Sequence, residues 1–98
     1  MAVNPDDLNV VNNPDKKRFE VEIDGKLALV EYIHAGTNIV FTHTEVPEEF
    51  EGMGVGAKMA KVALSFAQEN NLKVQPLCPF IKSYILRHKD EYQDLVQW

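Results

Sequence analysis

Cysteine is nearly absent from this chain, with Cys78 as its single representative. No disulfide can form within the molecule, so the fold rests on packing and suits a reducing compartment. No apolar run approaches the ~20 residues of a membrane span. The opening stretch, MAVNPDDLNVVNNPDKKR, lacks the apolar centre of a signal peptide. A cytoplasmic location is the expectation, with no membrane partner. Positive charge is also scarce: 10 Lys and Arg stand against 15 Asp and Glu, for a net charge of −5. Proteins that bind nucleic acid broadly need clustered basic residues to neutralise phosphates, so nucleic acid is not an expected partner. A small anion held by a local site remains compatible. The three histidines, His34, His43 and His88, are too dispersed in sequence to read as a metal motif, and no metal is expected.

What is present describes one modest domain. A chain of 98 residues with 45% hydrophobic and 26% charged side chains buries roughly 60–70% of its unfolded surface. Residues 1–15, rich in Asn, Asp and Pro, read as a flexible tail ahead of a single domain over 16–98. RFEVEI alternates Phe19, Val21 and Ile23 with two glutamates and predicts a half-buried strand. Asp24-Gly25 is a two-residue hairpin signal. The return strand KLALVEYI is apolar enough to suggest burial on both faces. A third strand, Ile39–Val46, is rich in β-branched residues and would place Ile39, Phe41, His43 and Glu45 on one face.

A helix follows from about Gly54 to Glu69, with Val55, Met59, Val62, Ala63 and Phe66 at helical spacing. Asn70-Asn71 closes it, since Asn tolerates the left-handed cap conformation. LKVQP is a fourth strand. A second helix starts at Pro79, breaks near His88–Asp90 and leaves a short last helix. The order is β-β-β-α-β-α, a mixed sheet of the α+β or α/β class. The third and fourth strands should be parallel and joined by a right-handed crossover. The last helix and Trp98 would dock either on another chain or on this sheet.

Three of the five glycines, Gly52, Gly54 and Gly56, sit at alternate positions where the first helix begins. A helix start offers free N–H groups and the positive end of a dipole, which together suit an anion. Missing side chains let phosphate reach the backbone, and glycine permits the dihedrals of an anion nest. The alternative is a plain tight turn. A Walker loop needs Gly-Lys-Ser/Thr, and Ala57-Lys58-Met59 fails it. Gly52, Gly54 and Ala57 meet G-x-G-x-x-G/A formally. The five residues PEEFE separate them from the strand, however, and no acid ends the next strand at Val74-Gln75-Pro76.

EGMGVGAKMAKVALSFAQ resembles the acyl-CoA pyrophosphate loop of the GNAT N-acetyltransferase superfamily, Q/R-x-x-G-x-G/A at a helix start. Gly54 and Gly56 match its glycines, while Glu51 stands where that family has Gln or Arg. The strand end THTEVP and the segment PLCPFIKSY extend the resemblance, over about Phe19 to Val96, to the small single-domain GNAT-like proteins. The resemblance implies a three-layer GNAT-like arrangement and acetyl-CoA as cosubstrate, lying between the third and fourth strands. It places the pyrophosphate on the amides of Met53, Gly54, Val55, Gly56 and Ala57, with Lys58 and Lys61 offsetting the acidic Glu48, Glu49 and Glu51. It pairs the pantetheine with the backbone of Thr44, Glu45 and Val46. It further implies direct attack of an amine on the thioester, aided by a strand amide and by general acid–base groups.

Three side chains are candidates for that chemistry. Cys78 precedes Pro79, a residue favoured at the first helical position, and so becomes the N-cap. A thiol there has a lowered pKa and would serve as acetyl carrier or base; the alternative is a small core residue. Tyr84 falls near the tyrosine that protonates the departing thiolate in the resembled family, or else it is a core aromatic. His43 would be a base for the amine, or a satisfied half-buried histidine. The reading is an acetyl-CoA-binding N-acetyltransferase acting on an amine, either a small molecule or a protein lysine. Its net acidity favours a cationic acceptor. The alternative is a non-catalytic interaction module of the same fold.

Overall fold

The structure is a computed structural model that describes residues 4–97; Trp98 and the first three residues of the expected tail lie outside them. Five strands form one sheet in sequence order: β1 (Val11–Asn13), β2 (Arg18–Ile23), β3 (Lys26–Ala35), β4 (Asn38–Glu45) and β5 (Lys73–Pro76). Three helices accompany them: α1 (Val55–Glu69), α2 (Pro79–Arg87) and α3 (Lys89–Tyr92). The pairs are antiparallel as far as β4, and β4 with β5 is parallel, from Asn38 opposite Lys73 to Phe41 opposite Pro76. The fold is α+β with a mixed sheet, as the sequence indicates.

Local chemistry accounts for the turns. Asp24 and Gly25 have φ of 50° and 77°, so both central residues of the β2–β3 turn are left-handed, which matches the twist of the flanking strands. α1 stops at Glu69, and Asn71 takes the left-handed conformation at φ 55°. Proline opens α2 after the cap residue Cys78, and the chain bends at His88 before α3.

One face of the sheet carries the core. Phe19, Val30, Ile39, Phe41 and Val74 are almost fully buried beneath Met59, Ala60, Ala63 and Leu64 of α1. The Phe19 ring lies 5.4 Å from both Tyr32 and Phe66, which fixes α1 over the hairpin. Burying each such large side chain contributes about 1.5–3 kcal/mol. Ile81, Tyr84 and Ile85 of α2 join the same core.

Three features differ from the sequence reading. Residues 11–13, placed in the tail, pair with β2 as β1. No hydrophobic alternation marks them. They are held by side-chain hydrogen bonds instead, Tyr32 Oη donating to Asn12 and Asn13 donating to Glu20. β3 is buried on both faces only at Ala28–Val30: Leu27, Glu31 and Ile33 are exposed on the face that Leu29 shares. His43 and Glu45 of β4 are also exposed on that side, whereas Leu29 is buried there. The third feature is a bulge in β4. Glu31 pairs with His43 and Tyr32 with Phe41, so Thr42 has no partner across the ladder. Its hydroxyl donates to the Glu31 carbonyl oxygen. Each extra residue in a strand reverses the alternation beyond it. Thr44 therefore takes the core face, and His43 does not share the face of Phe41.

Candidate functional site

The loop between β4 and α1 is anchored at Phe50, a buried side chain in a single 3-10 turn, Glu48–Phe50. Lys26 at the hairpin tip pairs with Glu49 on the same turn and lowers the pKa of its carboxyl. Gly52 and Gly54 follow with φ of 78° and 83°, in the left-handed region that favours glycine. A Cβ on Gly52 would meet nothing within 4 Å, so the backbone conformation and not packing requires glycine here. Gly54 is the N-cap of α1 and has no side chain to satisfy the helix start. The first backbone bond of the helix runs from Lys58 N–H to Gly54 O at 3.0 Å. The N–H groups of Val55, Gly56 and Ala57 are therefore left without acceptors within the helix. No acidic residue occupies this first turn.

Gly56 has a different task. It is helical, and an added Cβ would come within 2.6 Å of the Phe80 ring. Its missing side chain lets α2 close against the start of α1.

These parts enclose a cavity of about 470 Å³. The glycine loop and the residues Val55, Gly56 and Ala57 form one wall. Thr44 and Val46, from the end of β4, form another, with Phe80 and Arg87 of α2 opposite. The last β4–β5 pair is Phe41 with Pro76, and Cys78 N–H then donates to Phe41 O at 2.8 Å. Beyond that point β4 has no strand partner on its β5 side among the described residues, which leaves a free edge beside the cavity.

Of the residues expected to hold acetyl-CoA, Thr44, Val46, Gly54, Val55, Gly56 and Ala57 meet at this cavity. Glu45 is exposed on the opposite face of the sheet, and Met53 is half-buried against the core. Lys58 lines a separate groove with Lys61, Phe19 and Asn12, so neither lysine offsets the loop's acids from inside the cavity. Glu51 does line it, and so does Arg87, which the sequence reading passed over. Arg87 follows Phe80 by two helical turns and shares its face, a spacing visible in the sequence once Phe80 is known to meet Gly56.

The three catalytic candidates do not converge. Cys78 is the N-cap of α2 as expected, but it is buried at 3% exposure, and its Sγ lies 3.1 Å from Thr44 Oγ1. Thr44 thus stands between the thiol and the cavity. Tyr84 is buried, its ring stacked 4.2 Å from His88, with Tyr92 at 6.1 Å. Burial pushes the Tyr92 phenol well above its ordinary pKa, with Tyr84 and Glu91 adding to the shift. His43 lies on the far face beside Glu45, at 3.4 Å. Ligand atoms of Glu31, His43 and Glu45 lie within 4.8 Å of one another there, on an open surface away from the cavity. No described helix is long and apolar enough to cross a membrane.

A family model described as GCN5-related N-acetyl-transferase matches residues 18–95. Protein NATD1 of Mus musculus is 33% identical over 81 residues, covering 80% of this chain and 74% of the relative. Human NATD1 has the same identity over 81 residues, with 72% of its length covered. A GCN5-like protein from Staphylococcus aureus, solved in solution by NMR, superposes with a TM-score of 0.70 at 33% identity, over 92% of this chain and 88% of that one. Sequence match, strand order and the glycine loop at the start of α1 agree, and the chain belongs to the GCN5-related N-acetyl-transferase family, the GNAT fold.

Proposed function

We propose that this domain binds acetyl-CoA and transfers the acetyl group to an amine. The observation that carries the reading is the meeting of three features in one cavity: left-handed glycines, the unsatisfied N–H groups of Val55–Ala57, and the free edge of β4. The space above Gly52, empty to 4 Å, suits an anion that must reach the backbone. When bound, the cosubstrate would supply an acetyl thioester. The amides of Met53–Ala57 and the α1 dipole would hold its pyrophosphate. The backbone of Thr44–Val46 would pair with the pantetheine, and a β4 amide would polarise the acetyl carbonyl. Phe50, Val55 and Phe80 provide the apolar part of the lining.

The residues of this chain do most for positioning. Tyr84 and His43 stand away from the cavity and Cys78 is buried behind Thr44, so direct attack by a neutral amine is the mechanism this reading favours over an acetyl-cysteine route. The same placement favours a second reading, a CoA-binding module without transfer. Incubation with acetyl-CoA and a panel of amines, including a polyamine and a lysine peptide, separates the two. Time-dependent release of CoA thiol with one acceptor supports transfer. Saturable CoA binding with no release from any acceptor supports the module. The net charge of −5 favours cationic acceptors, and a rate that falls as salt is raised is the expected sign of this.

A further inference from the structure

Resting on that reading, we propose that Arg87 of α2 supplies the cationic side chain for the CoA phosphates, a role the glycine loop leaves open at Glu51. Position 51 carries a negative charge and lines the cavity, so the loop offers a polyanion backbone N–H groups on one side and a carboxylate on the other. A compensating cation is needed, and the basic residues nearest in sequence do not provide it. Lys58 and Lys61 line the groove with Asn12 and Phe19. Lys26 is engaged by Glu49.

Arg87 remains. Among the described residues it is the one basic side chain lining the cavity, and it makes no ion pair with them. Its placement is set by packing. The Phe80 ring seated on Gly56 turns this face of α2 toward the loop, and Arg87, two turns on, follows it over the cavity. A guanidinium fork pairs with two phosphate oxygens at once, which a lysine cannot reproduce. The Gln or Arg donor that the resembled loop has beside its glycines is, in this chain, replaced by an arginine of the second helix.

Calorimetric titration with CoA and with acetylpantetheine, the thioester half that lacks the nucleotide phosphates, tests the assignment. The proteins are the full chain, R87Q, R87K and the double variant E51R/R87Q. R87Q should weaken CoA at least about tenfold, the scale of a charge-assisted hydrogen bond. R87K should recover part of the loss, since it keeps the charge without the fork. E51R in the R87Q background should restore most of it by returning the charge to the loop. Acetylpantetheine should bind all four proteins alike. If R87Q binds CoA as the unmodified chain does, or if it loses CoA and acetylpantetheine equally, Arg87 does not act on the phosphates and the assignment is overturned. An unmodified chain that binds neither compound overturns the acetyl-CoA reading itself.

Discussion

At the scale of residues, the three glycines look equivalent in sequence and differ in the fold. Gly52 is required for its dihedrals and Gly56 for space, while Gly54 is required for both, since a Cβ there would come within 2.8 Å of Pro5. Two substitutions separate the cases. Gly52→Ala should cost about 1–2 kcal/mol, the strain of a side chain in the left-handed region, and Gly52→Asn should cost less. Gly56→Ala has no such strain and should destabilise by about 1–3 kcal/mol through overpacking against Phe80. That cost should shrink in a Phe80→Leu background, because the two residues share one contact. Urea denaturation of each variant reads these differences. Cys78 offers a third case. Its contact with Thr44 and its burial describe packing, so Cys78→Ala should keep CoA affinity and lose about 1 kcal/mol of stability. Loss of acetyl transfer in that variant, with CoA binding intact, would reinstate the covalent route.

At the scale of elements, the strands that follow a hydrophobic period were legible and the irregular ones were not. β2, β4, β5, α1 and α2 announce themselves through alternation, β-branching or helical spacing, and the Asp24-Gly25 turn fixes the hairpin register. β1 has no such pattern. It is stitched to β2 by Asn13 and to β3 by Asn12, and hydrogen bonds between polar side chains leave no periodic trace. The bulge at Thr42 is equally silent, yet it decides which face His43 and Thr44 take. For the same reason the loop side of the cavity could be read from glycine spacing, while Arg87 could not: its place in the lining depends on how α2 docks. Arg18 and Asn13 hold the Glu20 carboxyl below its ordinary pKa of 4.5, the Arg18 hydrogen bond being the larger cause. A lowered native pKa means stability that is present above the unfolded value and lost as pH falls through the native one. Glu20→Gln should therefore reduce stability at neutral pH and flatten its decline below about pH 4.5. Acid titration of the unfolding midpoint for both proteins checks this.

At the scale of the whole molecule, the sheet divides the chemistry. The helices, the glycine loop and the cavity occupy one side, while the open face presents Glu31, His43 and Glu45 to solvent. With a net charge of −5 spread over so small a domain, the proposed polyanion site rests on backbone groups and one guanidinium rather than on a basic surface. Such a site has a local signature. Titration of the isotope-labelled protein with acetyl-CoA, followed through backbone amide resonances, measures it directly. Saturable shifts centred on Met53–Ala57 and Thr44–Val46, with the open face unmoved, are the predicted result. No shifts at millimolar acetyl-CoA would mean that the glycines serve only the turn and the approach of Phe80, and that the cavity is not a CoA site.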